Sequence, residues 1–150
     1  MKLGGELETN EPPERVRRVL TSPEKVATCL PHIVSWEAGE KGLRATFRVN
    51  IGGVVEYLSR LTARANIEIR EIDHDNIDYV FEGTIARAKY SGVIHVHLDE
   101  KENGTRIQWS ADVELGKTLQ LLSRFINVDE LLDKIVKEVT ESMIKCVEKT

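Results

Sequence analysis

Leu3, Gly5 and Leu7 alternate with Lys2, Gly4, Glu6 and Glu8, a weak period-two pattern that predicts a first strand. The period then changes. Asn10-Glu11-Pro12-Pro13-Glu14 supplies polar caps and a proline suited to a first helical turn, and Val16, Val19 and Leu20 follow at helical spacing. Ser22 offers a second cap, with Pro23 at the first helical position and Glu24 beside the positive end of the helix dipole. Val26, Cys29 and Leu30 share one face of this second short helix, and Pro31 stops it.

From His32 onward the pattern is that of strands and turns. Ile33 to Ala38 is a short strand closed by Gly39-Glu40-Lys41-Gly42. Leu43, Ala45, Phe47, Val49 and Ile51 alternate with Arg44, Thr46, Arg48 and Asn50, which predicts one buried and one wet face. Gly52-Gly53 marks a turn, and the run from Val54 to Ile72 is too long for one ordinary strand, so a bend is expected near Ala63 to Asn66. Tyr79, Phe81 and Ile85 share a face of the next strand, and Tyr90, Ile94, Val96 and Leu98 share a face of the one after. Glu102-Asn103-Gly104 carries a hairpin signal. It leads into Ile107, Trp109, Ala111, Val113 and Leu115, which alternate with polar partners up to Gly116. From Lys117 to about Lys149 the apolar spacing is helical, predicting one element of roughly 45 Å at about 1.5 Å per residue. Its stripe is interrupted at Asn127 to Glu130, where a kink or an inward polar group is expected.

Strands with one apolar face and a single long helix to cover them require a sheet that curves around the helix. A cylinder does not fill a wide concave surface, so an interior space is the default ligand site. The segments "GELETNEPPERVRRVL", "SPEKVATCLP" and "SGVIHVHLDEKENGTRIQWSADVELG" resemble the carbon monoxide dehydrogenase G-subunit (CoxG) family of the helix-grip, or START-like, SRPBCC superfamily. The resemblance runs nearly end to end. It implies an α+β helix-grip fold over residues 1–150 as a single domain. A curved antiparallel sheet of about seven strands would wrap the long C-terminal helix, with two short helices after the first strand. It departs from the family in two places: His32 stands where a glycine often follows Cys-Leu-Pro, and the chain ends at Thr150 where many members carry a further tail. The second departure argues against a stable membrane anchor.

Composition narrows the classes. The 150 residues are 41% hydrophobic and 31% charged, values that suit a globular chain and exclude a disordered one. With a formal net charge of -4 and arginines scattered without interleaved aromatics, nucleic acid is not an expected partner. The first residues form no apolar signal core and no window is long enough to span a bilayer, so a cytoplasmic location is expected. Cys29 and Cys146 belong to no C-x-x-C pair, and in a reducing compartment both should be thiols.

Candidate chemistry is sparse. Gly116-Lys117-Thr118 lacks the earlier glycine of a phosphate loop, because position 111 is Ala111, and reads as a strand-to-helix turn. His95, His97 and Asp99 lie on one strand face, but on the side opposite the apolar residues, where surface histidines are expected rather than metal ligands. Cys29, with His32 nearby, could be a nucleophile, yet it shares its helix face with Val26 and Leu30 and reads as packing. Asp129 and Glu130 could serve acid-base chemistry with Tyr79 or Tyr90, but adjacent helical residues do not share a face, and a helix cap or solvent exposure is favoured. No catalytic residue, metal or cofactor is therefore assigned. Phe47, Tyr79, Phe81, Tyr90, Trp109, Leu119, Leu122, Phe125 and Ile126 are the expected cavity lining.

The leading expectation is a non-enzymatic carrier of a hydrophobic small molecule. The family resemblance implies a lipid-like cargo such as an isoprenoid quinone, and an accessory role beside a carbon monoxide dehydrogenase-type molybdenum hydroxylase. A cyclase- or lyase-like enzyme of the superfamily, and a partner-binding accessory subunit with a filled core, remain the alternatives.

Overall fold

The computed structural model describes residues 1–49, 61–124 and 127–149, with the backbone alone at Leu61 and Leu122. Among these residues seven strands, β1 (Lys2–Thr9), β2 (Ile33–Ala38), β3 (Gly42–Val49), β4 (Leu61–Glu71), β5 (Asn76–Ile85), β6 (Ala88–Lys101) and β7 (Gly104–Leu115), form one curved antiparallel sheet. The helices are α1 (Pro13–Leu20), α2 (Pro23–Cys29), α3 (Lys117–Leu122) and α4 (Val128–Lys149). Strand order is β1-β7-β6-β5-β4-β3-β2, a meander whose first strand returns to pair with its last. This is the expected α+β helix-grip architecture.

That order explains the two short helices. β1 and β2 are consecutive in the chain yet lie at opposite edges of the sheet, so α1 and α2 must carry the chain across its full width. Ser22 caps α2 by accepting a hydrogen bond from the Lys25 backbone N–H at 3.3 Å, and Pro23 follows at the first position. Leu30 is already extended, as the residue before Pro31 must be. Val16, Val19 and Leu20 of α1 join Val26, Ala27 and Cys29 of α2 in a buried cluster with Leu43, Ile69, Ile77, Leu98 and Ile107 of the sheet. Each fully buried valine or leucine there contributes about 1.5–3 kcal/mol. Thr105, buried at the start of β7, ties the wedge to the sheet by donating its hydroxyl to the Glu11 carbonyl at 2.8 Å.

Two expectations are corrected. The β4 ladder runs unbroken through Ala63 to Asn66, each residue paired on both sides, because both neighbouring strands hold the same register there. The expected bend is absent from that stretch, and the rest of the anticipated long segment lies outside the described residues. The helix expected to run from Lys117 to Lys149 is two helices. α3 ends in a turn at Ser123, and Asn127 starts α4 afresh, its side-chain oxygen accepting from the Glu130 N–H at 3.1 Å. An asparagine side chain that caps a new helix competes with the continuation of an old one.

Candidate functional site

Cross-strand register sorts the inward residues into rows. One row runs Trp36, Ala45, Ala65, Gly83, Tyr90 and Leu115; the next runs Ala38, Leu43, Ile67, Phe81, Gly92 and Val113. Small residues thus occupy the middle of the concave face, with rings at intervals. The Phe81 and Tyr90 ring centroids lie 6.2 Å apart at 47°, within the range of favourable aromatic pairs. A Cβ on Gly92 would stand 2.5 Å from Phe81 Cζ, and one on Gly83 would stand 2.6 Å from the Tyr90 hydroxyl, so each ring lies across a glycine.

The expected lining residues divide into three groups. Phe47, Phe81, Tyr90, Trp109 and Leu119 are half-buried, and all but Leu119, which lies on α3, stand on the concave face. Tyr90 donates its hydroxyl to the Arg64 carbonyl at 2.7 Å, and burial pushes its phenol up to about 12. Tyr79 is deeper, and its hydroxyl donates to the Leu20 carbonyl, pinning β5 to the end of α1; burial raises its pKa above the ordinary tyrosine value. Leu122 is described by its backbone only, and Phe125 and Ile126 lie outside the described residues.

Sequence reasoning missed Trp36. Simple alternation puts it with Val34 and opposite Ile33. A register shift between Ile33 and Ser35 instead brings Ile33, opposite Phe47, and Trp36, opposite Ala45, to the same concave face. It stands there 37% exposed, at the edge strand. The α4 stripe changes character along its length: Val147 is fully buried and Met143 packs against the core, while Leu132, Val136 and Val139 on the same face are half-buried. Apolar side chains at the upper end of α4 are therefore left only partly covered, as are the rings on the concave sheet.

The other candidates separate from this face. His95 Nδ1 lies 2.6 Å from Asp78 Oδ1, and His97 reaches Asn76 through Nδ1 at 2.8 Å and Asp99 through Nε2 at 3.0 Å, all on the outer face as expected. Ser110 stands opposite His95 in the next strand, so an Asp78-His95-Ser110 row exists, but it is solvent-open and its backbone amides serve the sheet ladder. A nucleophile there would lack water exclusion and an oxyanion hole. Asp129 and Glu130 are both exposed in the first turn of α4. Gly116 makes the strand-to-helix turn, its N–H donating to the Lys89 carbonyl at 2.8 Å. A hollow of 1010 Å³ on the outer side is lined mainly by outward residues including Glu68, Glu82, Asp112 and Glu114, a wall unsuited to an apolar cargo.

The cysteines are corrected as well. Cys29 and Cys146, expected as thiols, form a disulfide with 5.6 Å between their Cα atoms. Folding brings the end of α2 against the last turn of α4, so residues 117 positions apart meet. Cys29 is buried, as expected of packing. Two further contacts line the same seam: Ser142 donates its hydroxyl to the Cys29 carbonyl, and His32 Nε2 lies 2.8 Å from Glu138 Oε2. No helix among the described residues is long and apolar enough to cross a membrane.

A curved seven-stranded sheet gripping a C-terminal helix, with a two-helix wedge, defines a START-like helix-grip fold. The family model for the carbon monoxide dehydrogenase G-subunit (CoxG) matches residues 5–150, and the chain belongs to that family. Solved structures agree on the fold. A conserved protein from Geobacillus kaustophilus superposes with a TM-score of 0.79 at 16% identity, over 99% of this chain and 96% of that one. A START superfamily protein from Mycobacterium smegmatis gives 0.65 at 12% identity, over 99% and 97%. A protein from Thermus thermophilus gives 0.64 at 18% identity, over 99% and 98%. No curated protein is significantly similar in sequence.

Proposed function

We propose that this protein is a single-domain, non-enzymatic carrier that holds a hydrophobic, lipid-like molecule between the concave sheet and the upper half of α4. The observation that carries the reading is the half-burial of apolar groups on both surfaces: Phe47, Phe81 and Trp109 on the sheet, and Leu132, Val136 and Val139 on the helix. Leaving such side chains partly wetted costs roughly 25 cal/mol per Å², a cost that an apolar guest removes. Small residues at Ala45, Ala65, Gly83 and Gly92 make room for it. The nine lining residues expected from the sequence, with Trp36 added at the edge, are the proposed walls.

Membership of the CoxG family supports an accessory role beside a carbon monoxide dehydrogenase-type molybdenum hydroxylase. An isoprenoid quinone is the cargo that would suit such a redox partner, and a cytoplasmic location is part of the same proposal. Native mass spectrometry of protein from its own host, followed by organic extraction and an ultraviolet spectrum, tests it. The expected result is a bound apolar molecule with quinone-like absorbance. A protein with nothing extractable would overturn the carrier and favour the accessory subunit with a filled core.

A further inference from the structure

We infer that the Cys29–Cys146 disulfide is a redox latch that governs access to the proposed cavity, an inference that rests on the carrier reading and adds its regulation. The geometry is a seam. Glu138, Ser142 and Cys146 are spaced by four on α4, so they rise along one helix face on consecutive turns. They engage His32, the Cys29 carbonyl and the Cys29 sulfur in that order. Every member of this series joins α4 to the end of α2 or the residues just after it.

The three contacts are unequal. The His32–Glu138 pair is solvent-exposed, with side-chain exposures of 58% and 36%, and such pairs add little. The Ser142 hydrogen bond is a single neutral one. The covalent bond dominates the seam, and it sits at the buried end of an α4 stripe whose upper side chains form the proposed cavity rim. Holding the seam fixes where α4 lies over the sheet; loosening it lets α4 swing and the rim open. Disulfides in reducing compartments are characteristically transient or redox-sensing in mesophiles, which suits a latch in a protein proposed to be cytoplasmic.

The chemistry is dithiol exchange. A thiolate of a dithiol reductant attacks the sulfur of Cys146, the more exposed of the pair; the S–S bond breaks and Cys29 leaves as a thiolate that takes up a proton. The second thiol of the reductant then cleaves the mixed disulfide and releases Cys146 as a thiol. Two electrons and two protons pass from the dithiol, which becomes a disulfide, to the protein.

The experiment uses the full chain, oxidised or reduced with dithiothreitol, and an apolar fluorescent probe, 1-anilinonaphthalene-8-sulfonate. Reduction is expected to speed probe release by about tenfold, since changes in hold act mainly on the off-rate. Amide hydrogen exchange between Leu132 and Val139 should quicken in parallel. The Cys29→Ser/Cys146→Ser double variant should behave as the reduced protein with or without dithiothreitol. Should that variant not fold, reversing the wild-type effect by reoxidation with diamide gives the same reading. Equal α4 exchange in the two redox states would overturn the latch whether or not probe binds, and equal release rates would overturn its control of access. Quickened exchange with no probe bound in either state would support the latch on the helix and overturn the carrier reading beneath it.

Discussion

His32 holds a left-handed backbone, φ 60°, with its imidazole Nε2 2.8 Å from the carboxylate of Glu138. The position follows Pro31 at the exit of α2, where the chain reverses into β2, and a glycine there would meet the same conformation without a Cβ. In this chain the side chain that strains the backbone also reaches across to α4. His32→Gly relieves a left-handed penalty of about 1 kcal/mol while losing an exposed hydrogen bond of a few tenths, so it should be roughly 0.5–1 kcal/mol more stable than wild type. His32→Ala keeps the strain and loses the pair, and should be about 1 kcal/mol less stable than the glycine variant. Urea denaturation of the three proteins checks this; an alanine variant as stable as the glycine one would show that backbone strain is not what the position controls.

Trp109 and Trp36 make the site testable from its two sides. Trp109 stands over Gly5, a Cβ on which would lie 2.8 Å from the indole Nε1, and it packs against the core. Truncation to alanine should weaken binding of an apolar probe about tenfold, with a fold intact by circular dichroism but destabilised by about 3 kcal/mol. Trp36, at the edge and more exposed, should lower probe affinity on truncation with less than about 1 kcal/mol lost in stability. Fluorescence titration decides. Unchanged affinity in both variants would remove the concave face as the binding surface.

How far the sequence foretold this depends on whether a signal was local. Strand faces from Leu43 to Val49 and from Ile107 to Leu115 follow from alternation alone, and the capped, proline-started α2 follows from Ser22, Pro23 and Pro31. Trp36 was hidden because one bulge between Ile33 and Ser35 reverses the face of everything after it, and period-two reading has no access to a register shift. The split between α3 and α4 was half legible: the polar interruption at Asn127 to Glu130 was visible, whereas its outcome depended on Asn127 capping a new helix. The disulfide was invisible for a different reason. Pairing over 117 residues is a property of the tertiary fold, and two isolated cysteines carry no spacing signature for it.

The buried Tyr79 and the half-buried Tyr90 shape the alkaline behaviour. Desolvation raises Tyr90 to about 12 and moves Tyr79 in the same direction, against about 10 in an unfolded chain. Between those values the unfolded state holds fewer protons than the native one, so stability falls as pH rises. The contribution is complete below about pH 10 and is lost progressively as pH climbs toward 12 and beyond. Tyr79→Phe leaves the Leu20 carbonyl without its donor, which should cost about 1–3 kcal/mol at neutral pH. It should also flatten the decline above pH 10. Denaturation midpoints from pH 8 to 12 measure both; an identical alkaline slope in the variant would mean that Tyr79 does not ionise on unfolding in that range.

Gly92 is a position where the concave face has little tolerance. A Cβ there would stand 2.5 Å from Phe81 Cζ and 2.6 Å from the backbone oxygen of Asp112 in β7. The ring can move; the carbonyl belongs to a paired central strand and cannot, because β6 and β7 share a ladder from Tyr90 to Lys101. Gly92→Ala should therefore destabilise by about 1–3 kcal/mol, the usual range for overpacking. Combining it with Phe81→Ala tests which contact governs. Removing the ring should recover only part of the loss, a coupling of about 0.5–1 kcal/mol in a double-mutant cycle, because the clash with Asp112 remains. Full recovery in the double variant would identify ring packing, rather than backbone approach, as the reason for glycine at this site.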